Sequence, residues 1–182
     1  MRSLLLLAVV LFGCVQIPEP MPEAPKPTLQ EKQAAAKSLI RDWEKLRLRA
    51  YKCSAQRWSI GFGTISKAGE KITEAEAEKR MVNYLEQNVY SKGMARYADE
   101  LSIGQYAAFA SYQYNTGKRI TSCDTILTRW EGFTAKGKFT AGLENRRVAE
   151  YAVCAEVSIG EAWVRNAELT KIDRNGIIRQ KR

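Results

Sequence analysis

Glu44, Cys53 and Ser59 stand nine and six residues apart in the stretch EKLRLRAYKCSAQRWSIGFG, which places an acid, a thiol and a hydroxyl close together in the chain. Thiol and hydroxyl nucleophiles are ordinarily activated by imidazole, and the chain contains no histidine. Ser-His and Cys-His systems are therefore excluded. A Ser-Lys or Cys-Lys pair survives composition, but no SxxK motif lies beside a glycine-rich turn that could supply an oxyanion hole. What remains is a carboxylic acid acting alone or with weaker helpers, as in glycoside cleavage. Such an acid has to hold its proton near neutral pH, which burial against apolar or aromatic surface arranges. Glu44, beside Trp43 and close to Leu46, is the candidate on that argument. The competing reading is a solvated glutamate on an amphipathic helix.

The elements that would position these residues are readable from caps and periodicity. Thr28-Leu-Gln-Glu31 is a capping-box pattern, followed by Leu39, Ile40, Trp43 and Leu46 at helical spacing. Arg57–Ile65, RWSIGFGTI, reads as strand with a tight glycine turn. Thr73-Glu-Ala-Glu76 is a second capping box, with Met81, Leu85 and Val89 as its apolar stripe. Ser102-Ile-Gly-Gln105 opens a third helix that stops at Asn115-Thr-Gly117. Helical segments are expected near Thr125–Trp130 and Gly142–Glu156, and a candidate β-hairpin around Arg174-Asn-Gly176. Trp58, Trp130 and Trp163 read as core or cleft wall. The expectation is an α+β fold, predominantly helical, with one small sheet near the first long helix.

The 182 residues suit one domain and a tail. Residues 1–14 carry one positive charge, then an apolar run from Leu4 to Phe12, then Gly13 and Cys14. That run is shorter than the roughly 20 residues of a spanning helix and fits a signal peptide. The LFGC sequence resembles a lipobox, which would make Cys14 a lipidation site; an ordinary cleaved signal and an uncleaved signal-anchor are the other readings. Residues 15–27 hold all five prolines and read as an extended linker. Export to the periplasm is expected, with a membrane anchor through Cys14 or through an uncleaved leader. There are four cysteines, Cys14, Cys53, Cys123 and Cys154, and no CxxC or Cys/His spacing, so neither a metal nor a cofactor is expected. The 29 basic and 20 acidic residues leave a net charge of +9, which attracts polyanions such as an anionic envelope. The basic residues are dispersed and no reading motif is present, so nucleic acid is not an expected partner.

With these residues in place, the chain resembles the bacteriophage-type lysozymes and endolysins of glycoside hydrolase family 24. The family signature sets a glutamate, an aspartate or cysteine and a threonine at the spacing of Glu44, Cys53 and Ser59, leading into a strand like Ile60-Gly-Phe-Gly63. Ala107–Gly117, AAFASYQYNTG, is similar to the family's helix ending in Asn-x-Gly, and Gly142–Arg147 with Ala149, Glu150 and Cys154 to its C-terminal segment. The likeness covers roughly residues 36–157, within an expected lysozyme domain at 28–157; residues 158–182 form an extension beyond it.

The resemblance implies a lysozyme-like fold with a sheet lobe and a helical lobe around a cleft. It implies a muramidase acting on the bond between N-acetylmuramic acid and N-acetylglucosamine of peptidoglycan. Glu44 would be the general acid, Cys53 would stabilise the developing positive charge or help to place water, and Ser59 would hold the attacking water. Asn115 would line the cleft and Arg146 would pair with Glu44. Ser59 replaces the family's threonine and Thr64 its usual histidine, so a peptidoglycan-binding homologue without catalysis is the alternative. Cys123 and Cys154 are the candidate structural disulfide, and Cys14 the candidate for exchange with Cys53 if it carries no lipid. A monomer is expected.

Overall fold

The hydroxyl of Thr28 accepts the Glu31 N–H at 3.2 Å while the Glu31 carboxylate accepts the Thr28 N–H at 2.7 Å, so the expected capping box opens helix α1 (Leu29–Glu44). The computed structural model describes residues 25–53, 56–172 and 178–180. Cys14, the apolar leader, most of the linker and the Arg174-Asn-Gly176 turn lie outside the described residues. Along α1, Ala36 and Ile40 are fully buried, and the buried Lys32 ammonium donates to the Ala98 carbonyl at 2.5 Å. The helix ends abruptly: Lys45 adopts φ +57, and its N–H returns to the Arg41 carbonyl. Glu44 is therefore the last helical residue, at the point where the chain turns into the sheet.

That sheet has three antiparallel strands in the order β1 (Arg47–Lys52), β2 (Trp58–Gly61) and β3 (Thr64–Ile65). Arg47 pairs with Gly61 and Tyr51 with Ser59, so β1 spends two more residues than β2 between these pairs and carries a bulge. Gly61 lies against α2 (Glu74–Tyr84), where an added β-carbon would stand 3.0 Å from that of Ala77. Thr73 caps α2 by accepting the Glu76 N–H, but the reciprocal half of the expected box is missing. The reason is competition: the Glu76 carboxylate accepts from Arg80 Nε at 2.9 Å instead.

The stripe Met81, Leu85 and Val89 is fully buried, each side chain contributing about 1.5–3 kcal/mol by leaving water. Its backbone, however, is not one α-helix. From Leu85 to Met94 the chain winds as a π-helix and then as a short 3₁₀ turn, Ala95–Tyr97. Side chains take carbonyls here: Gln113 Nε2 donates to the Asn88 carbonyl of this wider coil at 2.7 Å, and Asn88 Nδ2 to the carbonyl of Tyr84, the last residue of α2, at 3.2 Å.

Helix α3 (Ile103–Thr116) has the Ser102–Gln105 capping box and ends with Gly117 at φ +70, as its sequence predicts. It is buried from Tyr106 to Tyr114 and runs through the centre of the helical lobe against α1 and α5 (Ala141–Ala155). Between them lie α4 (Cys123–Thr128) and a short hairpin, β4 (Thr134–Ala135) with β5 (Lys138–Phe139). A disulfide between Cys123 and Cys154 joins α4 to α5.

The region after 157 is more than a hairpin. Helix α6 (Ile159–Leu169) precedes the paired strands β6 (Thr170–Ile172) and β7 (Ile178–Gln180). Ala162 of α6 is fully buried in a second apolar cluster with Leu127, Phe133 and Val148, so packing continues past residue 157. Trp163, expected in core or cleft wall, is instead exposed on α6. Its neighbour Ala162 takes the core-facing position, and a helix cannot point successive residues the same way.

Candidate active site

Four charged side chains meet where α1, α3 and α5 converge. Arg146 on α5 donates through Nη1 to Glu44 Oε1 at 2.6 Å and through Nε to Glu150 Oε1 at 2.9 Å. Its Nη2 reaches the hydroxyl and, at 3.4 Å, the carbonyl of Ser111 on α3. Glu150 is fully buried; besides Arg146 it accepts from Ser111 Oγ at 2.6 Å and from Arg147 Nη2 at 3.1 Å. Burial disfavours the Arg146 cation, but the Glu150 and Glu44 carboxylates outweigh it and hold its pKa above the ordinary arginine value. Arg147, buried beside Arg146 and stacked over the Tyr112 ring, is pushed the other way by burial. The cluster ties α1, through Glu44, to α3, through Ser111, and to α5, which carries Arg146, Arg147 and Glu150.

The consequence for Glu44 is a carboxylate with two different oxygens. Oε1 is tied to Arg146. Oε2 lies over Gly63, where an added β-carbon would stand only 2.8 Å away. Gly63 also adopts φ +83, so both its backbone and the approach of the acid require glycine. The Glu44 side chain is 16% exposed, which leaves it reachable from outside yet mostly desolvated.

Two tyrosines complete the wall around it. Tyr114, on α3, donates its hydroxyl to the Phe62 carbonyl at 2.6 Å and bridges the helical lobe to the β2–β3 turn. Its pKa is raised by burial first and by the Glu44 carboxylate second, so it stays a proton donor. Tyr51 is also raised, by burial, then by Glu44, with Arg47 opposing and Cys53 adding. Glu44 and Cys53 both stand near enough to act electrostatically on this one phenol. Ser59 is the cross-strand partner of Tyr51, and such pairs project to one face. Ser59 is 7% exposed. Cys53 closes the β1–β2 hairpin, its N–H donating to the Arg57 carbonyl at 2.9 Å, and stands outside the disulfide.

Of the residues singled out in the sequence, Glu44 and Arg146 are in direct contact, while Ser59 is related to them through its strand partner Tyr51. Asn115 stands apart from the Arg146–Glu44 pair: it is exposed at the end of α3, and its Oδ1 accepts from Arg147 Nη2 at 3.3 Å. Sequence reasoning missed Tyr51, Ser111 and Tyr114. The signal available for the last two was their i, i+3 spacing, which puts Ser111 and Tyr114 on one face of α3.

Two recesses adjoin this wall. One, of about 310 Å³, lies between Thr64 and Ile65 of β3, Arg80, Asn83 and Tyr84 of α2, and Gln87 of the π-helix. The other, of about 260 Å³, is bounded by Gln113, Lys118 and Arg119. They share Tyr84 and Asn88, and Tyr84 packs edge-on to Tyr114 with ring centres 5.0 Å apart. Glu44 lines neither recess.

Comparison with known proteins agrees with this arrangement. An endolysin of Acyrthosiphon pisum secondary endosymbiont phage 1 is 31% identical over 134 residues, spanning 63% of this chain and 91% of its own length. The fold is that of two solved phage endolysins. One, from Escherichia coli O157:H7 phage FAHEc1, has a TM-score of 0.50 at 24% identity over 65% of this chain and 89% of its own. The other, the active form of P1 phage endolysin Lyz, has a TM-score of 0.55 at 15% identity over 74% and 97%. The family described as phage lysozyme matches residues 41–150, which hold Glu44, Cys53, Ser59, Asn115 and Arg146, and the chain belongs to that family.

Proposed function

We propose that the protein is a muramidase that hydrolyses the β-1,4 bond between N-acetylmuramic acid and N-acetylglucosamine in peptidoglycan. The observation that carries this reading is the Glu44 carboxylate, fixed on one oxygen by Arg146 and open on the other above Gly63. In the reaction, Glu44 gives its Oε2 proton to the glycosidic oxygen as the bond to the anomeric carbon breaks. Water adds to that carbon and releases one proton to solvent, and Glu44 takes a proton back from solvent to restore the acid. Ser59 holds the attacking water by its hydroxyl, and Cys53 faces the positive charge that develops on the sugar. Family membership and the convergence of these side chains around Tyr51 support the assignment.

The same proposal takes the protein across the inner membrane. Its support is the apolar run Leu4–Phe12 followed by the proline-rich segment 15–27, with a net charge of +9 that favours an anionic envelope. The test of the chemistry is product analysis. Purified sacculi digested with the protein should release fragments ending in reducing N-acetylmuramic acid. Binding to sacculi without any new reducing end would reject the enzyme in favour of a binding homologue.

A further inference from the structure

The proposed reaction uses Glu44 and its anchor Arg146, and leaves the fully buried Glu150 without a task. Stability is a weak reason for its presence, because apolar residues of similar volume often replace buried ion pairs without loss. Its contacts show a better one. Glu150 Oε1 accepts from Arg146 Nε at 2.9 Å, four residues away on the same helix. That bond fixes the guanidinium plane relative to α5, and the planar fork then directs Nη1 at Glu44 Oε1, 2.6 Å away. The Ser111 hydroxyl closes the ring from α3, donating to Glu150 Oε1 at 2.6 Å and accepting from Arg146 Nη2 at 3.2 Å.

Charge adds a second requirement. Glu44 must be neutral to give a proton, whereas a cation beside it favours the ionised form. Helix α5 sets two guanidiniums against it, Arg146 in contact and Arg147 at longer range. The other titratable groups around the cluster are phenols, Tyr112 and Tyr114 from α3 and Tyr51 from β1. Burial raises the pKa of all three, so they stay neutral. Of these groups only Glu150 carries a charge that offsets the guanidiniums, and it pairs with both. We propose that Glu150 is a positioning residue for the acid: it aims Arg146 at Glu44 Oε1 and neutralises enough guanidinium charge for Glu44 to keep its proton until the glycosidic oxygen takes it. This role deepens the muramidase reading and rests on it.

The test is the alkaline limb of the rate–pH profile for release of reducing ends from sacculi, measured beside the ¹³C carboxyl titration of Glu44 in the same folded proteins. Glu150→Gln keeps the size of the side chain and removes its charge. Both the limb and the Glu44 titration should move to lower pH, by about one unit or more. Arg147→Met removes one cation and leaves Glu150 to Arg146 alone, so both should move to higher pH. A merely structural role lowers the rate at every pH and leaves the limb in place, so it does not produce opposite shifts. Where Glu150→Gln does not fold, the upward shift in Arg147→Met decides. An unmoved limb and titration in a folded variant would overturn the proposal, as would a downward shift in Arg147→Met. A wild-type protein that releases no reducing ends at any pH, with the Glu44 titration still shifting as stated, would reject the muramidase reading and uphold the charge balance.

Discussion

Gly63 underlies the Glu44 carboxylate: a β-carbon there would meet Oε2 at 2.8 Å, on a backbone with φ +83. A residue on the β2–β3 turn thus defines where the acid at the end of α1 can stand. Gly63→Ala should reduce hydrolysis of sacculi sharply. Gly69→Ala separates the two effects, because Gly69 has φ +74 with nothing within 4 Å of an added β-carbon. Both variants should lose a similar, small stability of about 1 kcal/mol, read from urea midpoints. Only Gly63→Ala should lose activity. Equal activities would show that the carboxylate does not depend on this approach.

Arg146 bridges Glu44 and the fully buried Glu150. Replacement by methionine leaves Glu150 with Arg147 as its remaining cation, and Glu44 without an anchor. Breaking a buried pair in this way costs about 3–5 kcal/mol. Equilibrium unfolding should show a loss of that order, and a loss under about 1 kcal/mol would mean that the cluster stabilises little.

Glu70 on the sheet lobe accepts from Arg80 at 2.7 Å, from Ser66 at 2.9 Å and from the Lys67 N–H at 3.3 Å. The Arg80 hydrogen bond chiefly, with Ser66 and Lys67 behind it, holds its pKa down at about 2. A carboxyl whose folded pKa lies below its unfolded value of about 4.3 stabilises the fold above that value. Its contribution is lost as pH falls through about 2. The ¹³C carboxyl resonance of Glu70 should titrate near that value, and Glu70→Gln should flatten this part of the acid-unfolding curve. A midpoint near 4 would contradict the contacts.

Much of this architecture is legible in the sequence because it is written in local patterns. Thr28-x-x-Glu31 and Ser102-x-x-Gln105 form the boxes their spacing predicts, and Gly117 ends α3. Ser158-x-x-Glu161 carries the same signature and opens α6, a helix the reading of the extension as a hairpin passed over. Other features depend on partners far along the chain. Leu85 and Val89 have ordinary helical spacing, yet the backbone there is π-helical, with its Asn88 carbonyl taken by Gln113 from α3. The capping box at Thr73 is half-formed because Arg80 draws Glu76 away. At the site, Glu44 follows from the absence of histidine and its apolar neighbours, whereas the roles of Cys53, Ser59 and Arg146 come from a resemblance. Tyr51, Ser111 and Tyr114 acquire their roles only when sheet register and helix packing bring them to the acid.

Glu44 as the proton donor is tested most directly by Glu44→Gln, which keeps the shape of the side chain and a hydrogen-bond acceptor for Arg146 while removing the proton it would give. Release of reducing ends from purified sacculi should fall roughly a hundred- to ten-thousand-fold, with the far-UV spectrum and cooperative melting of the wild type retained. A folded Glu44→Gln protein that releases reducing ends at the wild-type rate would contradict the account.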